Sequence, residues 1–584
     1  MNSTTTLNRS SSARGRVRSL VRVFVLGLGL AVFAWWPMLV AYPNTQSGDG
    51  PPFHKMLEAA RVSVVRYHEL PLWNPYECGG IPLWDNPQAP IAAPLVWSML
   101  LVGTTAAMYL WYVLHSALGF CSMWFFARDE VKLSRAGTFV ASVAWTFSGF
   151  HQQHYAGGHF AFVPFLYFPL AFLLWRRAAS DLRYAIGLGW LVAWMMHEGA
   201  VYPLPHLSVF LFAETLTRVS KRSLARITRA AAVVMLVGLF VGAARFLPVM
   251  DQLRSHVRPI GVENDSIRWE TLRDMFLARH HARGAPGQSY VWPEYGSYLG
   301  PFLFAFAAVG LLFAAFEAPW LVLLFGVAFV LMMGHFSPVA PWAVLKGNVF
   351  PFKEMRVPSR FRCEVLLFLA VFAGLAVDRL PKIAVFLPGR PTRAVRTLAL
   401  GVALIGAGDM IAVGIEWFGV CFGNPPEQRV AASTRLYVHG PALAAMIDQP
   451  RQNRIRLACW DEWAFGVGAP MWEGDIPQAR PAPGARAIVE AAHRTQNTFT
   501  FDVVADERSR ILLNGTYDRG WRSDAGVVAE QDKLLVVDVP AGRHHVTLRY
   551  WPRGLTLGFI LASFGLIASA LAMRHLSQSA REVR

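Results

Sequence analysis

Stretches of roughly 20 mostly apolar residues recur along this 584-residue chain, and they restrict its fold more than any motif does. About that many residues are needed to cross the hydrocarbon core of a bilayer. A crossing segment must be helical, because its backbone groups have no water to bond. Runs of this kind predict twelve spans, near 19–42, 104–127, 134–150, 159–175, 184–199, 201–218, 229–250, 298–316, 318–334, 361–378, 396–417 and 554–573. Residues 91–103 are short enough for a re-entrant piece. With 54% hydrophobic and 16% charged residues, the chain is not one soluble globule. Its formal charge of +17 is no sign of nucleic-acid binding, since basic residues in such a protein mark cytoplasmic loops.

The serine-rich, basic start (Arg9, Arg14, Arg16, Arg18) has the charge pattern of a signal peptide. The apolar run behind it is too long, and it lacks a small-residue cleavage site. Residues 1–18 therefore read as a cytoplasmic basic tail before a retained first span. Short connections assigned inside carry Arg128, Lys132 and Arg135, or Arg176, Arg177 and Arg183, whereas 151–158 and 199–201, assigned outside, carry no lysine or arginine. Both termini are then cytoplasmic. The membrane domain covers 19–417 with a first outer loop at 43–103, and a last span and cytoplasmic tail occupy 554–584. Between 418 and 553 the apolar runs give way to period-two alternation, as in Thr498–Val504 and His545–Trp551. Asn514-Gly515, Arg519-Gly520 and Pro540–Gly542 supply turns. This spacing predicts an outer β-sandwich-like domain. Five cysteines are too few for a disulfide framework. Cys121 and Cys363 read as buried small hydrophobes, and Cys421 and Cys459 can pair only in an oxidising compartment.

The candidate chemistry gathers at the outer membrane face. Asp49, between two glycines just past the first span, is a carboxylate at the water–lipid boundary, where acids are functional candidates. Its bland counterpart is a solvated turn aspartate. The loop continues through a helix-like piece to Trp73-Asn74 and on to Asp85, Asn86 and Gln88. His151, His154 and His159 surround the connection after the third span, and His197 and Glu198 end the fifth. These groups suit a metal, a phosphate or simply a wet cleft, and none has a recognised metal spacing. In the PFKEMRVPSRFR segment, Arg356 and Arg360 are candidates for binding phosphate oxygens two at a time. No phosphate-binding glycine loop or dinucleotide fingerprint is present, so a soluble nucleotide cofactor is not indicated. The lack of paired acids buried mid-span weighs against a proton-coupled transporter.

The first loop (GDG, PPFHK, ELPLWNPYECGGIPLWDNPQ) resembles that of YfhO-like bacterial membrane proteins of the GT-C glycosyltransferase superfamily. WTFSGFHQQH, ARFLPVMDQLRSHVR, FPFKEMRVPSRFRCEVLLFLAVFAGLAVDRL and VPAGRHHVTLRYWPRGLTLG extend the resemblance over nearly the whole chain in order. It implies a GT-C-like fold and a transferase of the bacterial cytoplasmic (inner) membrane. Such an enzyme moves a sugar from a polyprenyl-phosphate carrier to a cell-envelope glycan or lipid acceptor. It further implies Asp49 as general base of an inverting displacement, with Arg356 and Arg360 stabilising the leaving phosphate. Trp73, Asn74, Asp85, Asn86, Gln88, His151, His154, His197 and Glu198 would then line the substrate pocket. No DxD or ExD pair accompanies Asp49, which puts a divalent metal cofactor in doubt. The rival reading is a non-catalytic translocator or export partner for lipid-linked glycans.

Overall fold

A computed structural model describes residues 4–255, 265–280, 284–383, 392–423, 437–439, 449–456, 471–474 and 476–582. The apolar stretches named above are largely helical. Among the described residues, six helical segments are long and apolar enough to cross a membrane: Val17–Ala34, Thr104–Asp129, Phe160–Ala178, Leu224–Val241, Arg393–Cys421 and Leu555–Ser579. Pro301–Glu317 and Pro319–Met332 are shorter apolar helices. The Arg362–Ile383 helix runs through the centre of the bundle, with nearly every side chain from Arg362 to Val377 buried. It packs on the Arg135–Thr146 and Pro301–Glu317 helices. A Cβ added to Gly374 would lie 2.4 Å from the carbonyl oxygen of Gly137, so this crossing needs glycine on both sides.

The expected span 134–150 is broken. Its helix stops at Thr146, and Ser148 in extended conformation starts a new one, Gly149–Ala156. The Gly149 backbone lies against Tyr298, where a Cβ would meet the amide nitrogen at 2.1 Å. The next apolar stretch opens with a 3-10 run, Phe160–Tyr167, that contains Pro164. Such irregular backbone is tolerated in a membrane domain where protein covers it, and every residue of both pieces is buried.

Among the described residues, the C-terminal region contains two four-stranded antiparallel sheets. One has the order Val527–Gln531, Leu534–Val539, Ser509–Thr516, Ala479–Pro481; the other runs Ala487–Arg494, Thr498–Ala505, Gly542–Tyr550, Trp521–Ser523. Alternation places Phe499, Phe501, Val503, Val546 and Leu548 inward between the sheets. Asn514-Gly515, expected as a turn, lies within Ser509–Thr516, because the Asn514 side chain is spent on the backbone of Trp472 rather than on closing a hairpin.

The first loop is the seat on which this sandwich sits. After the Gly50–Tyr67 helix the chain makes a two-stranded ribbon, Trp73–Asn74 with Ile81–Pro82. Trp73 is fully buried against the rings of Trp521 and Tyr550, 5.4 and 4.6 Å away. Its backbone N–H donates to Asn497 at 3.1 Å. Glu69 accepts from Thr495 and from the Asn497 amide, and Thr516 donates to the carbonyls of Cys78 and Gly79. Cys78 is disulfide-bonded, its partner lying outside the described residues. Cys421 is a free thiol, which removes the pairing considered for it with Cys459, itself outside the described residues.

Candidate functional site

Asp49 occupies the residue before the Gly50–Tyr67 helix, where an aspartate ordinarily accepts hydrogen bonds from the second or third helical N–H. Those positions here are Pro51 and Pro52, which have no N–H to give. Its side chain therefore makes no capping bond. The carboxylate turns instead to His159, whose Nε2 lies 2.8 Å from Oδ2. The Asp49 side chain keeps 41% of its surface exposed. Its backbone is fixed by a bond from the Asp49 amide to the carbonyl of Gly157 at 3.0 Å. Gly158, at φ +82°, leaves room for the Gly50 amide, which a Cβ would approach to 2.4 Å.

His159 opens a chain of contacts into the protein. Its Nδ1 lies 2.6 Å from Nδ1 of His154, and Nε2 of His154 lies 2.9 Å from Nη2 of Arg362. The short Gly149–Ala156 helix aims His154 at the Phe150 and Phe162 rings, with centroids 4.4 Å away in each case. Burial, then the Arg362 charge beside it, holds the His154 pKa well below the ordinary imidazole range, so the ring stays neutral.

Arg360 stands on the far side of Phe162, its Cζ 4.8 Å from that ring and 4.3 Å from the Tyr202 ring. It is not an open cation. Its Nε and Nη2 donate to the two oxygens of Glu294 at 3.0 and 2.5 Å, a bidentate pair. Burial pushes the Glu294 carboxyl up, but the Arg360 charge and hydrogen bonds outweigh it and bring the group down to about 2. Arg356 is half-buried nearby, its carbonyl accepting from Tyr290.

Of the sequence candidates, the structure thus gathers Asp49, His154 and Arg360, with His159 between the first two. Apart from Arg356, the others lie elsewhere. Trp73 and Asn74 belong to the ribbon under the sandwich. Asp85 is buried and accepts from the Tyr550 hydroxyl at 3.1 Å; burial and the Asp518 carboxylate push its pKa well above the carboxylate range. The carbonyl of Asn86 takes a hydrogen bond from Arg245, and the Asn86 side chain accepts from the Gln88 amide at 3.0 Å. His151 packs edge-on against Trp145, 4.9 Å between centroids. Glu198 is fully buried, hydrogen-bonded to His115 at 2.8 Å and accepting from the Tyr167 hydroxyl at 3.1 Å, and His197 is half-buried beside it. Single buried acids pair with histidines at helix ends: Glu198 with His115, and Glu364 with His206 at 2.9 Å. Among the described residues, no group of three or more His, Cys, Asp or Glu is placed to hold a metal ion.

Arg362, Glu294 and the pairing of His159 with Asp49 were missed from sequence. Arg362 looked like the start of a span, and Glu294 lies 66 residues from the arginine it neutralises. One legible signal was overlooked: two prolines directly after Asp49-Gly50 deny the aspartate its usual capping role.

Fold and site together define a multi-pass helical protein whose broken helix ends hold a carboxylate–imidazole–guanidinium chain, with a β-sandwich seated on its first loop. No protein-family model matches the sequence, and no curated protein is similar to it at a significant level. Among solved structures it is similar to the cryo-EM structure of the arabinofuranosyltransferase AftD from Mycobacteria, with a TM-score of 0.44 and 15% sequence identity. That alignment covers 67% of this chain and 27% of the other, so the chain spans about a quarter of that protein's length.

Proposed function

We propose that this protein is a membrane glycosyltransferase of the GT-C type, moving a sugar from a polyprenyl-phosphate donor to an acceptor at the outer face of the cytoplasmic membrane. The observation that carries this reading is Asp49, a half-exposed carboxylate released from helix capping and held in place by the partly exposed His159, itself backed by the buried His154. In the reaction, the acceptor hydroxyl oxygen attacks the anomeric carbon while Asp49 takes its proton. The bond from that carbon to the carrier phosphate breaks, and the phosphate leaves with the electron pair. Arg356 and Arg360 are the nearby cations for that growing charge. Arg360 serves it by sharing its guanidinium with Glu294, which keeps the cation in place between turnovers.

His154 enters the reading as a support for Asp49. Trp73, Asn74, Asp85, Asn86 and Gln88 enter as supports of the loop, and His151, His197 and Glu198 as supports of the bundle. The scheme invokes no divalent metal. The Cys78 disulfide favours an oxidising compartment for the first loop, consistent with an outward-facing site and both termini inside.

The test is Asp49→Asn, assayed in membranes supplied with a polyprenyl-phosphate sugar. A general base contributes about 100-fold or more to the rate, so transfer should fall by at least that factor at unchanged protein level. Undiminished transfer, or an unchanged cell-surface glycan in cells carrying only the variant, would favour a non-catalytic translocator instead.

A further inference from the structure

Arg362 is the fixed end of the chain that reaches Asp49. Its Nε donates to the carbonyl of Gly296 at 3.3 Å. Its Nη1 serves the carbonyls of Glu294 and Ser359 at 2.5 and 3.3 Å. Its Nη2 serves Pro293 at 2.7 Å and His154 at 2.9 Å. All five guanidinium N–H bonds are thereby used, and the side chain is fully buried. A guanidinium has donors only and does not give up its proton in a protein.

That fact propagates outward. Facing an N–H of Arg362, Nε2 of His154 must be bare, so the proton of this neutral ring sits on Nδ1. Nδ1 of His154 faces Nδ1 of His159, which must therefore accept and be bare. The proton of His159 then sits on Nε2 and points at Oδ2 of Asp49, an acceptor. A second proton on either ring would set N–H against N–H. Every hydrogen bond in the row points the same way, towards the carboxylate.

We propose that Arg362 is a positioning residue that locks His154 as the Nδ1–H tautomer and His159 as the Nε2–H tautomer, so that Asp49 always faces a neutral donor and sheds any proton through its own exposed edge. This rests on Asp49 being the base, yet it adds a direction to the chemistry. No proton taken from an acceptor can travel inward, because the inner end of the row cannot accept one. The site releases its proton to the aqueous side on which it works, and turnover is uncoupled from proton movement across the bundle. The charged and titratable groups around His159 are Asp49 and His154 in contact, with Glu294, Arg360 and Arg362 behind them.

The experiment reads tautomers rather than activity, so it stands whether or not the transferase reading survives. Full-length protein labelled with 15N-histidine is reconstituted in lipid nanodiscs, and ring nitrogens are assigned with His154→Phe and His159→Phe variants. The expected spectrum has His154 protonated only at Nδ1 and His159 only at Nε2. His154→Phe keeps the ring volume but removes the Nδ1–H donor, so Nδ1 of His159 should then be free to take a second proton, seen as an added ring N–H signal. The opposite tautomer on either ring, a charged His159 at neutral pH in the unaltered protein, or a His159 unmoved by His154→Phe would each overturn the proposal. If the variant does not fold, a nitrogen–nitrogen correlation across the 2.6 Å contact between the two Nδ1 atoms assigns the pair in the unaltered protein, and its spectrum still decides the tautomers.

Discussion

Glu294 is the residue whose loss should be felt most directly, and its cost can be worked from the structure. The side chains of Arg360 and Glu294 are 8% and 13% exposed, and their contact is bidentate. A carboxyl brought from its ordinary 4.5 to about 2 has its charged form favoured by about 3 kcal/mol. Removing one partner of a buried pair costs about 3–5 kcal/mol, since the remaining charge is stranded. Glu294→Gln should therefore destabilise the protein by about 3 kcal/mol or more. Arg360→Met, which keeps an apolar stem against Phe162 and Tyr202, should cost a similar amount. Both together should cost clearly less than the sum, because no uncompensated charge is left. The sign with pH follows from the lowered carboxyl: its stabilisation is present above about pH 4.5 and is lost as pH falls towards 2. Denaturation midpoints of the four proteins in detergent, taken from pH 7 down to 3, measure all of this. Strictly additive single effects, or a Glu294→Gln variant within 0.5 kcal/mol of the parent (about the spread of neutral surface changes), would refute it.

Other consequences are equally open to measurement. Gly158→Ala places a residue with φ +82° in a strained region costing roughly 1–2 kcal/mol, and its Cβ drives the Gly50 amide away; sugar transfer should drop while protease resistance of the sandwich is retained. Trp73→Ala should cost about 3–5 kcal/mol and expose residues 476–550 to protease in the absence of any substrate, which a tryptophan serving only to stack on sugar would not do. Asp85→Asn addresses a carboxyl whose pKa is raised in the folded protein, so the parent loses stability as pH rises above the ordinary carboxylate range. The variant should hold its sandwich at least as firmly at pH 8, with a flatter pH dependence, read by amide hydrogen exchange of the Gly542–Tyr550 strand.

The helical bundle and the sheet domain were legible in the sequence because each is set by a local rule. An apolar run in lipid must bond its own backbone, and a strand buried on one face must alternate. Asp49 also stood out locally, through its place beside a span and, had it been weighed, through the Pro51-Pro52 pair that denies it a cap. The use of the first loop did not stand out. Trp73 and Asp85 have the composition of a sugar pocket, but the partners that claim them, Trp521, Tyr550 and Asp518, come more than 400 residues later. The same holds for the row from Asp49 to Arg362. Hydrogen-bond direction depends on which donor meets which acceptor, and only the packing of three distant segments places an arginine that cannot lose its proton behind two histidines that can.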